Sequence, residues 1–191
     1  MLDALLREPG VVEQHALRSQ FGFMAIHGGS LERGTAEIAA EAADAAGASL
    51  YAVVQPEGLR WHVPSTRYDP AASPRLASFL EHVDVVVSVH GYGRSDRRHS
   101  ILLGGADRDL AAVLASELRR ALPDYAIVDQ LAGIPQGMRG LHRANPVNRA
   151  RRAGVQVELP PSVRVTPNAR GALVDSLQNF AEMHVTPRAP R

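Results

Sequence analysis

Short apolar runs alternate along this chain with stretches of helical periodicity, and this alternation is the strongest constraint on its fold. Residues 21–27 form an apolar run that predicts a buried strand, and residues 35–46 form an Ala-rich stretch that predicts a helix closed by Gly47. Residues 84–90 and 154–160 are two more apolar runs. Strands of this kind alternating with helices predict an α/β fold, with three α/β/α layers around a mixed, largely parallel sheet.

The remaining elements follow the same pattern. We predict further strands at residues 50–54, 59–63, 100–105 and 125–130, further helices at residues 76–83, 107–122 and 168–184, and a long loop at residues 130–153. A chain of 191 residues has the length of one domain. We therefore predict a single domain over residues 1–191, with its core at residues 11–184 and a flexible tail at residues 185–191.

Composition argues against several classes of function. With 21 basic and 20 acidic residues, the net charge is +1, so the chain as a whole has no broad attraction for nucleic acid or for an anionic membrane. The chain has no cysteine, so any metal site must be built from His, Asp and Glu. It has no signal-peptide pattern at its start and no apolar run of about 18 residues. We therefore predict a cytoplasmic protein with no nucleic-acid or membrane partner, and favour a monomer.

Polar residues lie at the ends of three predicted strands. His27 and His90 each end an apolar run, and Glu158 follows the alternating apolar residues of "VQVELPP". In open α/β sheets, ligands bind at the carboxyl ends of the strands. These three residues are therefore candidates for one functional site.

The first histidine is followed by two glycines and, five residues on, by a glutamate. Catalytic zinc sites have three protein ligands and leave a fourth position to water, and His27, Glu32 and His90 would supply such a set. Gly28 and Gly29 allow a sharp turn that brings Glu32 back toward His27. Because a spacing of five does not place two residues on one helix face, this hypothesis depends on the geometry of the loop.

Each of these residues also has an ordinary structural interpretation. A histidine at a strand end can cap the strand, Glu32 is a favourable first-turn carboxylate for the following helix, and Glu158 can form a salt bridge with an arginine. If a metal is present, however, Glu158 is placed to accept a proton from the metal-bound water and to transfer it to a leaving amine. This chemistry predicts the hydrolysis of an amide.

The predicted loop contains an arginine-rich segment, "RGLHRANPVNRARR" at residues 139–152, with five arginines and no acid. Three interpretations stay open: recognition of a carboxylate, binding of phosphate or nucleic acid, and a solvated basic surface. No aromatic residue is interleaved to stack on bases, so nucleic acid is the least favoured of the three.

Five segments carry a resemblance to a known family: "FGFMAIHGGSLERGTAEIA", "YAVVQPEGLRWHVPSTRYDP", "VVVSVHGYG", "ILLGGADRDLAAVLASELR" and "NPVNRARRAGVQVELP". In this order, over residues 11–184, they resemble the zinc-dependent poly-γ-glutamate hydrolases of bacteriophages and bacteria. The resemblance implies a zinc carboxypeptidase-like fold with one zinc ion, held by His27, Glu32 and His90.

The same resemblance implies roles for three further residues. Glu158 matches the general acid/base, and Asn148 with Arg149 matches an Asn-Arg pair that holds a substrate carboxylate in zinc carboxypeptidases. Two positions depart from the family pattern: Arg33 stands where a proline is usual, and the segment "HGYGR" lacks a cysteine that is often present. Neither departure removes a proposed ligand, but both indicate that the substrate loops differ.

The leading functional prediction is a zinc-dependent hydrolase that cleaves γ-glutamyl amide bonds in poly-γ-glutamate, an anionic polymer. In this prediction Arg149, Arg67 and Arg94 bind carboxylates of the polymer. Two alternatives stay open. One is a zinc amidase or carboxypeptidase that acts on a small acyl-amino acid or a cell-wall peptide, and the other is a non-catalytic, metal-dependent module that binds a polyanion. If the source is a phage, lysis would release the protein.

Overall fold

The computed structural model describes residues 1–184, in which seven strands form one sheet between two layers of helices. The strands are β1 (Val12–Ala16), β2 (Phe21–Gly29), β3 (Ser49–Gln55), β4 (Val85–Gly91), β5 (Ser100–Gly104), β6 (Ala126–Val128) and β7 (Val155–Leu159). The helices are α1 (Leu2–Leu5), α2 (Thr35–Ala45), α3 (Pro74–His82), α4 (Arg108–Ala121), α5 (Pro161–Val165) and α6 (Pro167–His184). The predicted tail, residues 185–191, lies outside the described residues.

The sheet is mixed and largely parallel, which confirms the predicted fold class. Its strand order is β1-β3-β2-β4-β7-β5-β6. The pairs β2–β3, β2–β4, β4–β7 and β5–β6 are parallel, whereas β1–β3 and β5–β7 are antiparallel. Strands β2, β4 and β7 are therefore adjacent and run in the same direction.

Both faces of the central strands are covered by helices. Phe21, Phe23 and Ala25 of β2 pack with α2, α4 and α6 in the larger core cluster. Met24 and Ile26 point to the opposite face and pack with α1 and α3. Burial on both faces explains why these strands are continuous apolar runs in the sequence. Over residues 1–184, no helix has both the length and the apolarity needed to span a lipid bilayer.

The predicted strand at residues 59–63 is wrong. Strand β1, which the sequence analysis missed, pairs with β3 and places Val12 opposite Val54. Because β2 occupies the other edge of β3, residues 59–63 have no edge of β3 left to join. The Gln55 side chain instead accepts a hydrogen bond from Trp61 N at 2.9 Å and donates one to Trp61 O at 3.0 Å.

Candidate metal centre

Three neighbouring strands bring the predicted site residues to one edge of the sheet. Because β2, β4 and β7 are adjacent and parallel, their carboxyl ends meet there. His90 on β4 lies directly opposite Glu158 on β7. His27 lies near the end of β2. The structure thus brings His27, His90 and Glu158 together.

An irregularity in β2 sets the direction of the His27 side chain. The pairing of β2 with β3 shifts register between Ala25 and Gly28. In a regular strand, His27 would point to the same face as Ala25 and would enter the layer of α2. The bulge turns it to the opposite face, where its ring centroid lies 5.0 Å from that of His90 and 5.9 Å from that of Tyr68.

A tight loop explains how Glu32 returns to His27 across five residues. The Glu32 N–H donates a hydrogen bond to the His27 carbonyl oxygen at 3.0 Å and closes the loop. Gly29 has a φ of 75°, which glycine adopts without strain. A Cβ on Gly28 would lie 2.5 Å from the Cβ of Ala36, so α2 can pack this closely only against glycine. The two glycines therefore position Glu32.

We expect Gly29→Ala to lower the free energy of unfolding by about 2–4 kcal/mol. An added Cβ would lie 2.1 Å from the Gln55 carbonyl oxygen, at a φ that already disfavours alanine. Denaturant titration measures the change. Gly58→Ala is the matched control, because Gly58 has a φ of 87° and open space around its Cβ position, which leaves only a strain of about 1 kcal/mol. Equal losses in the two variants would contradict the steric argument.

Three side chains offer metal-ligating atoms to one point. His27 Nδ1 lies 2.9 Å from Glu32 Oε1, and His90 Nδ1 lies 3.6 Å from Glu32 Oε2. One ligand atom from each of the three residues lies within 4.8 Å of the others. Two imidazoles and a carboxylate form a donor set that suits divalent transition-metal ions.

Neighbouring groups set the orientation of the His27 ring and the charge of the Glu32 carboxylate. His27 Nε2 donates to the Val63 carbonyl oxygen at 2.8 Å, which fixes the ring orientation and directs Nδ1 toward Glu32. The Gly91 N–H donates to Glu32 Oε2 at 2.8 Å. Burial raises the pKa of Glu32, but contacts with His27 and His90 lower it more, so the pKa lies well below its usual range. The Glu32 carboxylate is therefore ionised.

The environment of His90 favours a positive charge at the cluster. Burial lowers the pKa of His90, but the hydrogen bond and charge of Glu32 and the charge of Glu158 raise it above its usual value. Within residues 1–184, His90 Nε2 is buried without a hydrogen-bond partner. A divalent cation at the three ligand atoms would supply the positive charge that these carboxylates favour. The residues present therefore fit a metal ion.

Glu158 is the end of a buried chain of hydrogen bonds. Its Oε1 accepts from Gln156 Nε2 at 2.8 Å, and Gln156 Oε1 accepts from Asn145 Nδ2 at 2.8 Å. All three side chains are buried. Burial raises the pKa of Glu158 despite opposing effects of His90 and Gln156. A raised pKa makes a carboxylate a stronger proton acceptor than an ordinary glutamate.

His27, Glu32, His90 and Glu158 line one cleft of about 660 Å³. Residues 136–142, in the loop between β6 and β7, form part of its wall. His62 and residues 64–66 form another part. Sequence analysis did not single out His62. Burial lowers the pKa of His62, and its ring centroid lies 4.8 Å from that of His27.

Asn148 and Arg149, which the family resemblance assigns to a substrate carboxylate, do not line this cleft. Asn148 Oδ1 accepts from Ala106 N at 3.0 Å, and Asn148 Nδ2 donates to Gly140 O at 2.7 Å. The Asn148 amide therefore holds the loop that forms the cleft wall. The substrate role of both residues stays a prediction.

Arg67 and Arg94, the other predicted substrate-binding residues, also lie outside the cleft wall. Arg67 ends a short 3-10 turn (Ser65–Arg67) whose first residue does line the cleft. Arg94 donates to both carboxylate oxygens of Asp96, at 3.2 and 3.3 Å, on an exposed loop. Their contact with a polymer stays a prediction.

Most arginines of the segment 139–152 are paired with acids from other elements. The pairs are Arg149 with Asp69 at 3.9 Å, Arg151 with Asp84 at 3.1 Å and Arg152 with Asp107 at 3.0 Å. Arg139 and Arg143 have no acidic partner within 4.0 Å among residues 1–184. Of these two, Arg139 lines the cleft.

The structure adds residues that the sequence analysis missed. Arg164 of α5 donates to the carbonyl oxygens of Arg33, at 2.5 Å, and Tyr92, at 3.2 Å, and so joins the loops that follow Glu32 and His90. No pattern in the sequence indicates this contact. Gln156 had a usable signal, because a spacing of two places it on the same strand face as Glu158.

Known proteins share both the sequence and the fold. A model of the poly-γ-glutamate hydrolase family matches residues 4–176. The SPbeta prophage-derived protein YoqZ of Bacillus subtilis (strain 168) is 32% identical over 142 residues, which are 71% of this chain and 46% of YoqZ. The chain thus spans less than half the length of this curated relative.

Solved structures match over most of the chain. A bacteriophage poly-γ-glutamate hydrolase has a TM-score of 0.76 at 22% identity, covering 91% of this chain and 89% of that chain. The zinc-free apo form of YndL has a TM-score of 0.76 at 25% identity, covering 93% and 91%. A metallo-carboxypeptidase from Burkholderia cenocepacia has a TM-score of 0.51 at 11% identity, covering 96% and 66%. The predicted carboxypeptidase-like fold is confirmed.

Proposed function

The chain belongs to the poly-γ-glutamate hydrolase family, and on this premise we propose that it is a zinc-dependent hydrolase of γ-glutamyl amide bonds in poly-γ-glutamate. One observation carries the proposal: His27, Glu32 and His90 converge beside the buried carboxylate of Glu158, in one open cleft. Three ligands and a nearby proton acceptor are the parts that metal-assisted hydrolysis requires.

The ligand set supports zinc as the ion. Two histidines and one glutamate also form the ligand set of zinc peptidases, in which one position stays open to water or substrate. When bound, zinc would lower the pKa of water to about 7 and polarise the carbonyl of the scissile amide. His27, Glu32 and His90 would hold it.

Glu158 moves the proton. Within residues 1–184, its Oε1 is engaged by Gln156 and no residue donates to its Oε2. Oε2 accepts a proton from the attacking water molecule and then gives it to the nitrogen of the leaving amine. Tyr92 does not compete for this task, because its hydroxyl donates to the carbonyl oxygens of Arg97 and Ser100 and burial raises its pKa to about 12.

The direct test is the chain-length distribution of poly-γ-glutamate, measured by size-exclusion chromatography after incubation with the zinc-loaded protein. We expect shortening of poly-γ-glutamate, no shortening of poly-α-glutamate, and loss of activity after chelation that added zinc restores. Cleavage of only small acyl-amino acids or cell-wall peptides would favour an amidase or carboxypeptidase. Binding of the polymer without new amino termini would favour a non-catalytic module.

We expect Gln156→Leu to lower kcat by roughly 10- to 100-fold, because it removes a hydrogen bond that orients the ionised Glu158. Steady-state kinetics on poly-γ-glutamate measures the change, and zinc content is expected to stay at the parent level. Gln178→Leu is the matched control, because Gln178 donates to Glu182 at 2.9 Å on the exposed side of α6. A kcat equal to that of the parent would show that Gln156 does not orient the base.

A further inference from the structure

Poly-γ-glutamate differs from an ordinary polypeptide in one chemical respect that the cleft must accommodate. Each unit is linked through its side-chain carboxyl group, so an α-carboxylate remains beside every amide bond. Glu158 and Glu32 would repel that carboxylate, and the charge of a bound zinc ion would be shared with its ligands and the scissile carbonyl, so a further positive charge near the scissile bond would favour binding. This requirement rests on the proposed function.

We propose that Arg139 binds the α-carboxylate next to the scissile γ-glutamyl bond and thereby selects γ-linked glutamate. Among the arginines of residues 1–184, Arg139 is the one that lines the cleft. Its Nε donates to the Ile134 carbonyl oxygen at 2.9 Å, and none of its nitrogens lies within 4.0 Å of an acid in this part of the chain. Its two terminal nitrogens are therefore free to form paired hydrogen bonds with a carboxylate.

The Arg139 backbone is fixed at the wall of the cleft. Its carbonyl oxygen accepts from Gly105 N at 2.8 Å, and Gly104 packs so closely that an added Cβ would lie 2.3 Å from the same oxygen. With its Nε held as well, the guanidinium loses little conformational freedom when a ligand binds.

Arg139 is also connected to the proposed proton acceptor. The next residue, Gly140, packs on the Gln156 side chain, where an added Cβ would lie 2.5 Å from Gln156 Oε1. Gln156 in turn donates to Glu158. Arg139 is thus linked to Glu158 through Gly140 and Gln156. Arg139 and the proposed proton acceptor therefore belong to the same wall of the cleft.

The other candidate arginines are less suited to this position. Arg149, which the family resemblance favours, lies 3.9 Å from Asp69 and outside the cleft wall. Arg94 is bonded to Asp96 on an exposed loop. Both would have to leave an acid to bind the substrate, whereas Arg139 would not. Arg67 has no acidic partner within residues 1–184 either, but it lies outside the cleft wall.

The test compares two γ-glutamyl oligomers that differ only at the unit beside the scissile bond, which carries either an α-carboxylate or a neutral α-carboxamide. For the parent, we expect kcat/KM to favour the carboxylate oligomer by at least about 30-fold. For Arg139→Gln, we expect a loss of about 30- to 100-fold on the carboxylate oligomer and less than about 3-fold on the carboxamide. The ratio of the two values does not depend on the fraction of folded protein, so partial misfolding cannot produce this result.

Two further variants sharpen the comparison. Arg139→Lys keeps the charge but lacks the paired donors, so we expect an intermediate preference. Arg120→Ala, at an exposed arginine of α4 paired with Glu117, is expected to keep both parent values. An equal loss on both oligomers in Arg139→Gln would overturn the inference, because Arg139 would then act on the scissile carbonyl or on the loop. If Arg149→Ala rather than Arg139→Gln abolishes the preference, the inference is also wrong.

A binding measurement separates this inference from the proposed function. Glu158→Gln and Glu158→Gln/Arg139→Gln are titrated calorimetrically with the two oligomers. We expect the second protein to lose about 30-fold or more in affinity for the carboxylate oligomer alone. Equal affinities of the two proteins would overturn the role of Arg139 even if the parent hydrolyses poly-γ-glutamate. If the parent hydrolyses neither oligomer, the proposed function fails, and the binding result still decides whether Arg139 binds the carboxylate.

Discussion

Glu158→Gln is expected to lower kcat on poly-γ-glutamate by about 10³-fold or more, with zinc content unchanged. The amide has the shape of the carboxylate, and its oxygen can still accept the hydrogen bond from Gln156. It cannot accept a proton from water at neutral pH, so the attacking water is no longer activated. Because Glu158 is not among the three converging ligands, the metal is expected to stay bound. Single-turnover hydrolysis and metal analysis of the same preparation measure both quantities.

The matched control for this variant is Glu182→Gln, at an exposed glutamate of α6 that accepts a hydrogen bond from Gln178. It makes the same chemical change far from the cleft and is expected to keep the parent kcat. A kcat of Glu158→Gln within about tenfold of the parent would exclude Glu158 as the proton acceptor. Loss of zinc together with activity would instead indicate that Glu158 contributes to holding the metal.

The positions and the carboxyl ends of the central strands could be predicted because each depends on local patterns. Apolar runs buried on both faces indicate parallel strands, and polar residues at their carboxyl ends indicate the ligand-binding edge. His90 and Glu158 are on regular strands, and the structure places them directly opposite each other. The strand pattern alone therefore locates this part of the candidate site.

The position of His27 could not be predicted in the same way. Regular alternation would have placed it on the face of Ala25, away from His90, and only the bulge in β2 turns it toward the cluster. The return of Glu32 likewise depends on one backbone hydrogen bond across a loop of five residues. The two glycines after His27 allow such a turn but do not fix its geometry, so the hypothesis from the residues depended on the loop, and the family resemblance implied the same three ligands.

The arginine-rich segment shows a different limit of prediction from the sequence. Its five arginines are equivalent in the sequence, since no acid lies among them. Three of them pair with acids that are distant in the chain, Asp69, Asp84 and Asp107. In the sequence these three arginines look free to bind an anion, but in the fold each is paired with an acid. Only the folded arrangement distinguishes Arg139, which lines the cleft, from the other four arginines.

His90→Ala is expected to lower zinc affinity and kcat/KM by more than about 100-fold each, since loss of a direct ligand exceeds the effect of losing a supporting hydrogen bond. The same ligand loss removes the stabilisation that zinc gives the parent, which is about 2.7 kcal/mol when free zinc is 100 times its Kd. Zinc should therefore raise the Tm of the parent but not that of His90→Ala. His82→Ala, at a half-buried histidine of α3 whose Nε2 donates to the Arg18 carbonyl oxygen at 3.1 Å, is expected to behave as the parent in both measurements. A zinc-dependent rise in Tm that survives in His90→Ala would place the metal elsewhere, because His27 and Glu32 alone leave too few ligands to hold it tightly.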